Sequence, residues 1–146
     1  RTTFYYHFQT KEEIIEEYFQ SRITSQELLF SSLMKLDNDL DRYLALFDMH
    51  LSIFVEEGAE FGRQVLHGIL NDNRFMASYF MKDEWCVPVL TSCQKNKLCR
   101  TDIEPEELDH LCVALALGIV YQWCAGGGNF DVLSAVRSSL QKLLIV

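Results

Sequence analysis

The side chains best equipped for chemistry crowd the opening of the chain. Arg1, Thr3, Tyr5, Tyr6 and His7 fall within seven residues, and Lys11 follows four residues later. Phe4 and Phe8 lie four apart, so on a helix they share one buried face. Arg1, Thr3, Tyr6 and His7 then fall on its other faces. Polar, aromatic and basic side chains on a short exposed helix suit the groove of DNA, where they meet base edges and phosphates.

Other candidate chemistry is weaker. The five cysteines, Cys86, Cys93, Cys99, Cys112 and Cys124, are odd in number and contain no C-x-x-C. That favours free thiols in a reducing cytoplasm over a disulfide framework. Cys93, Cys99 and Cys112 do not have the spacing of a zinc site. A redox role for any of them depends on thiolate character and exposure. Asp37, Asp39 and Asp41 imitate the start of a calcium loop, but Arg42 stands where the loop needs glycine and Asp48 where it needs glutamate. They read better as acids at a helix N-terminus. No nucleophile elbow, P-loop or dinucleotide fingerprint occurs, and Gly126-Gly127-Gly128 follows a helix rather than a strand. The expectation is a protein that is not an enzyme and needs no cofactor and no metal.

The elements that would position these residues are helices throughout. At 146 residues, 49% apolar and 23% charged, the chain suits one globular unit with a core of ordinary size. The formal net charge is −8; Arg1 and Lys11 are the only charges among the first eleven residues, which leaves that stretch at +2 and the rest at −10. An acidic body does not bar DNA from the basic end, because charges farther than roughly 10 Å are screened. A remnant helix over residues 2–8 is too short to stand alone, since isolated helices below about 12 residues are marginal. Thr10-Lys11-Glu12-Glu13 is a capping box that starts a helix over 11–34, with a bend or break expected within 23–32, where Ser and Thr lower helix propensity.

A third helix runs to Glu57 before Gly58, with Leu40, Tyr43, Leu44, Phe47, Leu51, Phe54 and Val55 as its apolar stripe. A fourth covers 59–70 with Phe61, Val65, Leu66, Ile69 and Leu70 inward, and a fifth runs from 74 or 75 to 97, kinked at Pro88. Pro105 opens the sixth, 105–125, with Ile103 and Leu108 as a staple. Its middle, residues 111–121, is apolar on nearly every side. The apolar run is shorter than the ~20 residues of a membrane span, so it reads as a buried helix of a protein with no membrane partner. Asn129 is placed to cap the last helix, 130–144, whose stripe is Phe130, Leu133, Val136, Leu140, Leu143 and Leu144.

Thr3-Phe4-Tyr5-Tyr6-His7-Phe8, followed by Lys11-Glu12-Glu13-Ile14, closely resembles the end of the helix-turn-helix in TetR-family transcriptional regulators. The segment from 104 to 144 is similar to the last two helices of their effector domain: a P-E-E-L start, an apolar helix ending in Gln122-Trp123, a glycine turn, then Phe130-Asp131 and a leucine stripe. The middle, roughly 35–100, matches only in helix order. The resemblance implies an all-α, TetR-like fold. Residues 1–10 would be the remnant of a helix-turn-helix DNA-binding domain whose first two helices lie upstream, and 11–146 a helical effector-binding and dimerisation domain.

That resemblance places Arg1, Thr3 and Tyr6 at base edges and Tyr5, His7 and Lys11 at phosphates or the groove wall. Packing within the chain competes with each of these roles, most of all for Tyr5 and His7. It implies a homodimer joined through the last two helices, with Leu111, Leu115, Gly118, Ile119, Gln122, Val136 and Leu140 in the interface and half-sites ~34 Å or a little more apart. It implies a small effector in an apolar cavity, with Phe47, His50, Phe54, Phe61, His67, Phe80, Trp85 and Tyr121 as candidates; for each aromatic, ordinary core packing is the competing role. The expected function is a cytoplasmic, ligand-responsive regulator, a repressor in the family's commoner mode, released from operator DNA by its effector. The alternative is a helical dimeric module that binds a ligand or partner without binding DNA.

Overall fold

The structure, a computed structural model, describes residues 10–71 and 83–146. Among the described residues every regular element is a helix: α1 (Lys11–Glu27), α2 (Phe30–Leu33), α3 (Asp39–Glu57), α4 (Ala59–Asn71), α5 (Asp83–Lys95), α6 (Pro105–Ala125) and α7 (Val132–Leu144). The all-α expectation holds for them. The helix expected over 2–8 and the first part of the one expected from 74 or 75 lie outside the described residues.

Local signals set most of the boundaries. The Thr10 hydroxyl accepts from the Glu13 amide at 3.1 Å and starts α1. Ser21 and Ser25 donate back to the carbonyls of Tyr18 and Ser21 at 2.7 and 2.9 Å, a competition that weakens the helix backbone. The helix ends at Glu27, and after Leu28 and Leu29 the chain resumes as the single turn α2. The break thus falls inside the expected window. Asn38 caps α3, its side chain accepting from the Asp41 amide at 2.9 Å. Gly58 ends it at φ +90°, a backbone conformation that favours glycine.

Helix α3 is the central element, packed against α4, α5 and α7 and also against α1 and α2. Neighbours on several sides bury Leu46 and Ile53 besides the stripe residues Tyr43, Leu44, Phe47, Leu51 and Phe54. Val55 is not part of that face; it is exposed, as is Leu70, 83% accessible near the end of α4, where Val65, Gly62 and Gly68 point inward instead. Both misplaced residues stand near helix ends, where the packing face has already turned past them. Helix α5 continues through Pro88 to Lys95 with Cys86, Leu90 and Cys93 enclosed.

Helix α7 starts later than expected. Asp131, not Asn129, is its cap: the carboxylate accepts from the Ser134 amide at 3.0 Å and from the Ser134 hydroxyl at 2.8 Å. Phe130 therefore precedes the helix, and the buried stripe is Val132, Val136, Leu140 and Leu144. One hydrogen bond joins distant parts of the core. The Tyr43 hydroxyl donates to Asp109 of α6 at 2.6 Å, with both residues fully buried. Arg137 of α7 pairs with Asp48 of α3 at 2.6 Å, and Arg100 bonds Asp102 while its amide donates to the carbonyl of Leu144 at 2.8 Å.

Candidate ligand cavity and partner surface

The eight candidate ligand residues do not converge on one site. Phe47, His50 and Phe54 share a cavity of about 40 Å³ with Val65, Leu66 and Ile69 of α4 and Val113, Ala116 and Val120 of α6. The lining is almost wholly apolar. A space of this size holds on the order of one to a few waters, so an effector larger than that has to part α4 from α6.

Four of the other five lie elsewhere. Phe61 packs edge-on against Tyr18 and tilted against Phe19, with centroids 5.7 and 6.4 Å apart. Trp85 lies 5.0 Å from the ring of Phe30 in α2. His67 and Tyr121 meet on the outer side of α4 and α6, in an open hollow of about 220 Å³ bounded also by Arg63, Leu70 and Ala125. Tyr121 is 60% exposed there, so it is a surface residue rather than a cavity wall. Phe80 lies outside the described residues.

A second feature of the cavity was invisible at the level of helical stripes. Phe19 of α1 is fully buried. Its ring sits 5.9 Å from His50, edge to face, and 5.6 Å from Phe54. Two walls of the cavity thus bear directly on the helix that follows the aromatic–basic opening stretch. Polar contacts hold the same helix to the end of α3: the Tyr18 hydroxyl donates to Glu57 at 2.5 Å, Arg22 bonds both Glu56 and Glu57, and Gln26 bonds Ser52 at 3.1 Å. No sequence spacing links Phe19 to His50; only a long-range packing of α1 on α3 does so.

Of the candidate DNA residues, Arg1, Thr3, Tyr5, Tyr6 and His7 lie outside the described residues. Lys11 is exposed in the first turn of α1. Glu12 and Glu13 share that turn, so their charge partly offsets the attraction of Lys11 and the helix N-terminus for a phosphate.

The candidate dimer residues divide between α6 and α7. Val136 and Leu140 are fully enclosed within the subunit, facing α3 and α6, so they cannot line a surface between subunits. They belong to the period-four stripe that α7 turns inward, and its exposed positions Ser134, Ser138, Gln141 and Lys142 are polar. The α6 residues fare differently. Leu111, Ala114, Gly118, Tyr121, Gln122 and Ala125 are exposed, and Leu115 and Ile119 half-buried. Leu111, Ala114, Gly118, Tyr121 and Ala125 alternate in steps of three and four, the spacing of a helix–helix seam. A Cβ added at Gly118 meets nothing within 4 Å.

Pro105–Ala125 is also long and apolar enough, by length and composition alone, to cross a membrane. Its opposite face, including Leu108, Cys112, Ala116, Val120 and Trp123, is buried against the rest of the chain.

Burial holds two core groups in their protonated forms. Burial pushes the Tyr43 phenol far up, so it stays protonated and serves as a donor to Asp109. Burial likewise pushes the Cys112 thiol up to about 12. Among the described residues no three His, Cys, Asp or Glu side chains are placed to hold a metal ion. No protein-family model, curated protein or solved structure matches the chain.

Proposed function

We propose that this chain is the effector-binding and dimerising part of a TetR-like transcriptional regulator, with residues 1–10 belonging to its DNA-reading unit. The observation that carries the reading is the position of Phe19. It touches both His50 and Phe54, which line the apolar cavity, and it belongs to the helix that follows the aromatic–basic opening stretch. A ligand that enlarges the cavity displaces those two rings, and Phe19 moves with them. The ligand shifts the equilibrium only as far as it binds the displaced arrangement more tightly than the closed one. An apolar effector of small size, oriented by His50, fits the lining.

The exposed seam of α6 supports the second half of the proposal. Small residues at 114, 118 and 125 let a second α6 approach closely, and Leu111 and Tyr121 supply apolar area. Two subunits related by a two-fold axis would hold two reading units at half-sites on one face of DNA. Such a regulator works in the cytoplasm as a repressor that its effector releases. The rival is a dimeric ligand- or partner-binding module without DNA binding, and the acids beside Lys11 favour it.

A gel shift on the DNA upstream of the protein's own gene separates the two readings. The expected result is a shift that Tyr6→Ala abolishes while light scattering still reports a dimer. A dimer that never shifts that DNA, with or without small molecules extracted from the native source, selects the rival.

A further inference from the structure

We propose that Cys93 and Cys99 form a reversible dithiol–disulfide site that small hydroperoxides oxidise. The site is built on the turn that ends α5. Lys97 takes a left-handed backbone at φ 56°. The Lys97 amide donates to the carbonyl of Gln94 at 2.9 Å and the Leu98 amide to that of Cys93 at 3.0 Å. This is the Schellman arrangement, usually built on glycine. It folds the chain back over the last turn of the helix and sets Cys99 beside Cys93, near enough that each thiol acts on the other's proton.

The partners differ in access. Cys93 is sealed in the core, whereas Cys99 is half-buried and lines a surface hollow of about 160 Å³ shared with Lys97, Leu98, Arg100, Ile145 and Val146. A hydroperoxide of a few heavy atoms fits such a space. Arg100 is fixed there by Asp102 and by the carbonyl of Leu143, so the wall is firm. The remaining cysteines, Cys86, Cys112 and Cys124, are all buried. Burial holds the Cys99 thiol above its ordinary value while the neighbouring Cys93 thiol acts in the opposite sense, which suits a slow sensing reaction rather than rapid turnover.

The chemistry balances with the hydroperoxide as oxidant. The Cys99 sulfur attacks the terminal oxygen; an S–O bond forms, the O–O bond breaks, and the departing alkoxide takes the Cys99 proton to leave as alcohol. Cys99 is then a sulfenic acid. The Cys93 sulfur attacks it; the S–S bond forms, the S–O bond breaks, and hydroxide leaves as water with the Cys93 proton. Two thiols lose two electrons in all and one hydroperoxide gains them. A thiol with no neighbour would progress to sulfinic acid instead.

The test treats the whole chain with hydrogen peroxide, blocks remaining thiols and digests with trypsin under non-reducing conditions. Cleavage after Lys95 and Lys97 separates the two cysteines, so a link appears as joined peptides. The expected product joins Cys93 to Cys99, lacks two hydrogens relative to the reduced pair, loses two of the five alkylatable thiols and reverts with dithiothreitol. Cys99→Ser should abolish it, and Cys93→Ser should leave a sulfenic acid at Cys99 that dimedone traps, with circular dichroism confirming that both variants fold. The unmodified sequence decides the matter alone. A Cys99–Cys112 link, sulfinic acid at Cys99 without any link, or five intact thiols after excess peroxide each overturn the proposal.

Discussion

Helices α3 and α6 are the two longest among the described residues, at 19 and 21 residues, yet they finish their surfaces in different ways. Helix α3 buries eight of its residues, and Arg42, Asp41, Glu56 and Glu57 meet water or partners around the rest. Helix α6 is the more apolar of the two but buries seven, leaving Leu111, Ala114, Gly118 and Tyr121 outside. A helix with polar residues on its outward side is complete within its own subunit. A helix that stays apolar on both sides carries more oily surface than its subunit can cover, and that surplus is what a second copy would bury.

The contrast can be broken first at its extremes. Phe47→Ala in α3 empties part of the core and should cost about 3–5 kcal/mol in urea denaturation. Leu111→Glu in α6 should leave the circular dichroism of the subunit unchanged while light scattering falls to the monomer mass. A dimer that survives the glutamate removes the α6 seam from the interface.

The first turns sharpen the comparison. Helix α6 opens with exposed Glu106 and Glu107, whereas α3 opens with Asp39, which is buried. Asp39 accepts from the Ser92 hydroxyl at 2.7 Å, from Arg42 at 2.7 Å and from Asn96 at 3.0 Å. The Ser92 bond, then those of Arg42 and Asn96, hold its carboxyl below the ordinary value of 3.8 although burial opposes them. The folded state therefore binds this proton less readily than the unfolded state does. The stability it contributes is in place above the ordinary carboxylate value and drains away as the pH falls through the lowered one. Asp39→Asn should cost about 1.5–3 kcal/mol at neutral pH and flatten the acid limb of a stability–pH curve. An unchanged acid limb would assign that limb to other carboxylates.

Two glycines test the same contrast on a finer scale. A Cβ at Gly62, which faces α6 from α4, would stand 2.5 Å from the Cys124 sulfur. Gly62→Ala should therefore cost about 1–3 kcal/mol, part of it regained with Cys124→Ala. At Gly118 the space is open, so Gly118→Ala should stabilise the subunit by up to about 1 kcal/mol through helix propensity. If two α6 helices meet at that point, the same change weakens the dimer, read as a rise in its dissociation constant.

Much of the architecture was legible because it is local. Thr10, Gly58 and Pro105 each mark a helix boundary through their own backbone or side-chain chemistry, and the structure places boundaries at all three. Asn129 was the expected cap for α7, but Asp131 has a serine three residues on whose amide and hydroxyl both donate to its carboxylate. The faces were harder. Val136 and Leu140 read equally well as core or as interface, since both demand apolar residues at helical spacing. Nothing in the local sequence sets Asp109 apart from Glu106 and Glu107, because its partner Tyr43 lies on another helix. The cavity suffered most: Phe47 and Phe54 share it, but Tyr121 and Trp85 have the same aromatic character and stand elsewhere. Residue type names what can line a cavity, and only the packing angles of α3, α4 and α6 decide which residues do.

The bond from Tyr43 to Asp109 spans 66 residues, and that distance has a consequence during synthesis. Until a ribosome has made α6, the acceptor for this hydroxyl does not exist. The early helices can form and touch, but their centre keeps a wet polar group until α6 emerges and docks. Final consolidation of this core therefore waits for α6, and a nascent chain stalled before residue 109 should remain open to proteases and chaperones.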